Sequence, residues 1–162
     1  MTSVIDAYAV RHNLWGTRTL LEHAQKLTPE QVELSVEGTA GSIRWQLAHI
    51  VGADQRYLAG LGVEPEETWR ESADSQLGKV AEIHAANERA WERLLAQPPD
   101  LDAWYERRGE LIHRVMYPAQ AIHHGTDHRT QIGTILLHHG LPLPDLDVWT
   151  YAESRGDLKP AR

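Results

Sequence analysis

The sequence of 162 residues contains no cysteine and no phenylalanine. Without cysteine there are no disulfides, no thiolate metal ligands and no cysteine nucleophile, so any metal ion must be held by His, Asp or Glu. A reducing, cytoplasmic compartment is compatible with this composition. No apolar run approaches the roughly 20 residues of a membrane span, and the first residues do not resemble a signal peptide. We therefore expect a cytoplasmic protein that does not enter a membrane.

The charge balance also excludes a class of partner. The net charge is −7 with His neutral, and no block of basic residues stands out. Binding to a phosphate backbone relies on Lys and Arg, so nucleic acid is not an expected partner. The aromatic residues are six Trp and five Tyr, all of which carry a polar group. This aromatic composition favours an interior with a partly polar cavity.

The apolar spacing predicts one all-α domain over residues 1–162, built from four long helices. Ser3 and Asp6 resemble a capping box at the first helix, and Ser42 is a plausible N-cap for the second. A short helical turn is expected after Pro29, and an irregular hairpin around Gly109 before the last long helix. The predicted long helices cover about residues 3–27, 43–61, 74–97 and 117–137.

After Gly140 the chain carries Pro142 and Pro144, which are typical of a helix stop and an extended segment. Trp149 and Tyr151 follow in the same stretch. We expect this tail to be extended and to pack its aromatic side chains back onto the bundle.

His124 and His128 lie four residues apart in the last long helix. Residues at this spacing share one helix face, with Cβ atoms about 5 to 6 Å apart, which suits one metal ion. Such pairs also arise by chance in a chain with ten histidines. The pair alone therefore fits a metal site and a pair of ordinary core or surface histidines equally well. Arg129 flanks this face and is expected to pair with a neighbouring helix or with water.

Three further histidines near apolar stripes each allow two interpretations. His49 lies among aliphatic residues in the second long helix and is either a core histidine or a metal ligand. His84 falls on the apolar stripe of the third long helix and is either a polar group near the site or a buried structural residue. His12 is expected to be hydrogen-bonded or exposed rather than a neighbour of a metal.

Helix geometry separates the remaining polar residues. His138 and His139 lie about 21 Å along the helix from His124, at 1.5 Å per residue, so they cannot bind the same ion. His123 points about 100° away from His124 and should not share its ion either. Gln131 lies on the ligand face one turn further on, where it could bind a water ligand or support an imidazole.

Residues 124–132 read HGTDHRTQI, which resembles the pattern His, three residues, His, Arg, Gly, Gln of the DinB/YfiT-like family. Thr130 stands where that family usually has Gly; it lies off the ligand face, so the difference concerns local helix packing. Residues 42–50, which end near His49, and residues 147–151 are also similar to the family. The resemblance covers nearly the whole chain.

The resemblance implies an up-and-down four-helix bundle with a divalent metal ion on His49, His124 and His128. Three neutral imidazoles suit Zn²⁺, Ni²⁺ or Fe²⁺, with Zn²⁺ or Ni²⁺ preferred here. Three protein ligands leave coordination positions open, as in catalytic rather than structural zinc sites. The family also implies a homodimer through helix faces.

Three functions stay open at this point. By resemblance, the protein is a metalloenzyme that activates a low-molecular-weight thiol, such as bacillithiol or mycothiol, for S-transfer to a small electrophilic substrate. A metal-dependent hydrolase using a metal-bound water is the second possibility. A non-catalytic metal-binding protein of the stress response is the third, and a fourth ligand such as His84 would favour it. The sequence identifies no catalytic residue beyond the metal ligands.

Overall fold

The structure is a computed structural model that describes residues 4–159 and 161. It confirms the all-α fold, with one two-stranded antiparallel hairpin before the last long helix. None of the helices in these residues is both long and apolar enough to span a membrane. The elements in chain order are α1 (Ala7–Ala24), α2 (Pro29–Val32), α3 (Ile43–Gly60), α4 (Leu77–Ala96), β1 (Trp104–Arg107), β2 (Glu110–His113), α5 (Met116–His138) and α6 (Val148–Arg155).

The four long helices α1, α3, α4 and α5 form a bundle whose buried apolar residues group into two clusters. Helix α3 packs against α4 and α5, and α1 packs against the same two helices. Of the consecutive long helices, α3 and α4 pack directly against each other, whereas α1 packs more extensively against α5 and α4 than against α3. The arrangement places α3 and α5, which carry the predicted metal ligands, side by side.

Local capping explains where the helices begin. Helix α1 begins at Ala7 because the Asp6 carboxylate accepts a hydrogen bond from the Ala9 backbone N–H at 3.0 Å. The predicted start near residue 3 is therefore wrong, since residues 4–6 are not helical; Ser3, the predicted cap, lies outside the described residues. Ser42 caps α3 as predicted, accepting from the Trp45 N–H.

The predicted short turn and hairpin are both confirmed. Helix α2 begins after Thr28, which forms a reciprocal capping box with Gln31. In the hairpin, the turn residues Arg108 and Gly109 both have positive φ, 55° and 81°. Two-residue hairpin turns of type I′ require positive φ at both positions, and their twist matches that of the flanking strands. The hairpin leads directly into α5.

The tail after α5 differs from the prediction. It is extended only as far as Asp147, whose carboxylate accepts from the Thr150 N–H at 2.7 Å and begins helix α6. Tyr151 is buried as expected and its ring centroid lies 5.2 Å from that of Trp15. Trp149 is instead 69% exposed, so the prediction that both aromatic side chains pack on the bundle is wrong for this residue.

Candidate metal centre

The three histidines predicted as ligands come together between α3 and α5. His49 lies on α3, and His124 and His128 lie one turn apart on α5. One ring nitrogen from each histidine lies within 4.8 Å of the other two, an arrangement that could hold a metal ion. The cluster forms because one side chain of α3 faces an i, i+4 pair of the neighbouring helix.

Two other histidines singled out by the sequence lie away from this cluster. His84 is buried and its Nε2 lies 3.1 Å from the Leu14 carbonyl oxygen, which confirms its structural interpretation. His12 Nε2 lies 2.8 Å from the Leu146 carbonyl oxygen, as expected for a hydrogen-bonded histidine. Within residues 4–159 and 161, no fourth His, Asp or Glu belongs to the cluster.

The chemistry of the three side chains fits a divalent cation. Burial, with contributions from His128 and His49, lowers the pKa of His124 to about 4. Burial and His49 also lower the pKa of His128. Both α5 imidazoles are therefore neutral near pH 7, the protonation state in which a ring nitrogen can bind a metal.

Gln46, which the sequence analysis did not single out, fixes the orientation of His128. Its amide NH₂ donates to the Gly41 carbonyl at 3.0 Å, so its Oε1 accepts from Nδ1–H of His128 at 3.1 Å. This leaves Nε2 of His128 free for a metal ion. The sequence feature that could have identified Gln46 is its position three residues before His49 on the same helix.

Gln131 does not support an imidazole as suggested; its Oε1 accepts from the Ala40 backbone N–H at 2.7 Å.

The loop between α3 and α4 brings a carboxylate to the same site. Oε1 of Glu71 lies 3.4 Å from Nδ1 of His49 and 2.9 Å from Nη1 of Arg56. Nothing in the sequence pattern indicates this placement, because Glu71 is one of several acidic residues in a loop whose path depends on tertiary contacts.

Aromatic side chains flank the histidine cluster. The Trp45 ring stacks on His49 with centroids 5.9 Å apart, and the Tyr57 ring lies edge-on to His124, also at 5.9 Å. The His49 side chain keeps 29% of its surface exposed. The cluster is therefore partly open to solvent, beside two aromatic side chains.

Contacts between α1 and α5 hold in place the helix that carries His124 and His128. Arg129 is buried and its Nη1 donates to Asn13 Oδ1 at 2.7 Å and to Thr17 Oγ1 at 3.1 Å, which confirms its predicted pairing with a neighbouring helix. Gly125 permits this close approach, because a Cβ there would lie 2.3 Å from Asn13 Oδ1. Thr130 is exposed and its hydroxyl bonds within α5, so the departure from the family's Gly is accommodated.

The protein is thus a four-helix bundle with three clustered histidines on two neighbouring helices. The chain belongs to the DinB family, whose family model matches residues 2–160. Its fold is similar to the crystal structure of a DinB-like protein from Bacillus cereus ATCC 10987, with a TM-score of 0.67 and 22% sequence identity. The similarity covers 83% of this chain and 91% of that one, and at this identity it concerns the fold alone. No curated protein matches the chain significantly.

Proposed function

We propose that this protein binds one divalent metal ion through His49, His124 and His128 and uses it to activate a low-molecular-weight thiol for S-transfer to a small electrophile. The observation that carries the proposal is the set of three imidazole nitrogens within 4.8 Å of one another. Three protein ligands would leave positions open for solvent or substrate, as in catalytic zinc sites. Zn²⁺ or Ni²⁺ suits these ligands best, and Fe²⁺ is also compatible.

The chain's own residues would bind and orient the reactants. A bound divalent cation favours the thiolate form of a thiol at neutral pH. Because the chain has no cysteine, that thiol must come from outside. Trp45 and Tyr57 place partly exposed apolar ring surface beside the cluster, which fits the carbon skeleton of a small electrophile.

A rate measurement with matched variants tests this activity. Protein loaded with Zn²⁺ or Ni²⁺ is incubated with bacillithiol or mycothiol and a chromogenic aryl halide; the thiol sulfur bonds to the ring carbon, halide leaves, and the thiol proton goes to solvent. We expect metal-dependent turnover that falls to the uncatalysed rate in His124→Ala. His123→Ala is the control, because His123 is the exposed neighbour on the same helix. Equal rates in both variants would contradict the proposal.

A metal-dependent hydrolase is the second candidate, because the structure does place a carboxylate beside the histidines. Burial raises the pKa of Glu71, but its backbone hydrogen bond and Arg56 outweigh that effect, so its pKa is lowered overall. A carboxylate with a lowered pKa is a weak general base near pH 7. Thiol transfer is therefore favoured, and the same variants assayed with activated esters distinguish the two.

The proposed partners are a small-molecule substrate and a low-molecular-weight thiol. Metal binding without turnover on any thiol or ester would instead support the non-catalytic alternative, a metal-binding protein of the stress response. The homodimer stays a prediction from the family resemblance.

A further inference from the structure

One ring nitrogen of the histidine cluster is buried without a partner. Nδ1 of His49 makes no hydrogen bond in the structure, although an unpaired buried donor is costly. The Oε1 atom of Glu71 lies 3.4 Å away, within ion-pair reach but outside hydrogen-bond geometry. The separation is only slightly longer than the roughly 2.7 to 3.2 Å of an ordinary N–H···O hydrogen bond.

The Glu71 carboxylate is held firmly at this position. Its side chain is only 16% exposed, and Nη1 of Arg56 contacts both carboxylate oxygens at 2.9 and 3.2 Å. The loop that carries it is fixed to α3 through Gln55, whose amide donates to the Glu67 carbonyl and accepts from the Trp69 N–H. The carboxylate is thus ordered by contacts that do not depend on the histidines.

A glycine on α3 makes room for this carboxylate. Gly52 lies three residues after His49, on the same side of the helix. A Cβ atom at Gly52 would lie 2.5 Å from Oε2 of Glu71, closer than real Cβ contacts allow, and 3.0 Å from its Cδ, which is also tight. Any other residue at this position would push the carboxylate away from its present place.

We propose that Glu71 is a positioning residue of the metal centre. Its carboxylate accepts the Nδ1–H of His49, which fixes the ring and its tautomer so that Nε2 faces the ion. The inference rests on the proposed metal binding. Ligating histidines commonly donate their second N–H to a carboxylate or carbonyl, and removing that partner typically weakens metal affinity 10- to 100-fold. Gln46 acts in the same way on His128, but without a charge.

Metal affinity, measured by competition with a chelator, gives the first test. We expect Glu71→Ala to bind Zn²⁺ about 10- to 100-fold more weakly than wild type, with partial recovery in Glu71→Gln, which keeps an acceptor oxygen. Glu67→Ala is the matched control, because Glu67 lies in the same loop and its exposed carboxylate pairs with Lys79. That variant should bind Zn²⁺ as tightly as wild type.

A double-mutant cycle separates positioning from general damage to the loop. Gly52→Ala should weaken Zn²⁺ binding by displacing Glu71, whereas adding Gly52→Ala to Glu71→Ala should cause no further loss. In metal-free protein, ring ¹⁵N NMR should find His49 protonated on Nδ1 in wild type and in a mixture of tautomers in Glu71→Ala. A purely structural role would change thermal unfolding without changing the tautomer.

The outcomes distinguish this inference from the function on which it rests. Wild-type protein that binds no divalent metal would overturn both. Tight binding by wild type together with unchanged affinity in Glu71→Ala, or an additive effect in the double variant, would overturn the positioning role alone and leave the three-histidine site in place.

Discussion

Replacing the buried carboxylate of Asp54 should change stability in a pH-dependent way. Asp54 lies on α3 and is only 2% exposed. Burial raises its pKa from 3.8 to about 7, although Arg129 acts in the opposite direction. Between these two values the folded protein keeps a proton that the unfolded chain releases. The contribution of this group to stability is therefore lost as the pH rises from about 4 to about 7.

The size of the effect follows from the difference in pKa. At about 1.4 kcal/mol per pKa unit, a difference of about three units amounts to about 4 kcal/mol once the pH exceeds both values. About 2 to 3 kcal/mol of this is lost between about pH 5 and about pH 8. An asparagine cannot ionise, so the Asp54→Asn variant should not show this loss. Any cost of burying its amide is the same at both pH values and cancels in the comparison.

Urea unfolding of the metal-free protein at the two pH values measures this difference. Relative to wild type, Asp54→Asn should gain about 2 to 3 kcal/mol of unfolding free energy on going from about pH 5 to about pH 8. Asp74→Asn serves as the control, because Asp74 is exposed, and its difference from wild type should be nearly constant. An equal difference for Asp54→Asn at both pH values would refute the assignment of a protonated, buried carboxyl.

Two further substitutions test the orientation of His128 and the packing of α5 against α1. Gln46→Ala should weaken Zn²⁺ binding about tenfold or more in a chelator competition, because Nδ1 of His128 loses its acceptor; wild-type affinity would contradict this. Gly125→Ala should lower the free energy of unfolding by about 1 to 3 kcal/mol, because its Cβ would overlap Asn13 Oδ1. An unchanged urea midpoint would show that α1 and α5 do not pack as closely as described.

The helices and the clustered histidines could be predicted because they depend on local signals. An i, i+4 pair on one helix face fixes His124 relative to His128 before any tertiary contact is known. The Ser42 cap and the turn at Gly109 are equally local, and both are confirmed. The position of His49 opposite the pair came from the family resemblance, since nothing local in α3 separates a ligand from a core histidine.

The groups that support the histidines depend on contacts distant in sequence. Glu71 reaches His49 only because its loop is attached to Gln55, and no periodicity records the path of a loop. Gln46 could have been found by its spacing from His49, but its partner lies on another helix, 82 residues away along the chain. The prolines before α6 favour an extended tail, but they lie outside the helix, which begins because Asp147 is a good N-cap.

The metal content of the purified protein tests the central claim most directly. Elemental analysis of protein prepared without added metal or chelator should find about one Zn or Ni per chain. The metal should be lost in His49→Ala, His124→Ala and His128→Ala and retained in His123→Ala. Absence of metal from wild type even after reconstitution, or full occupancy in any of the three ligand variants, would contradict the account.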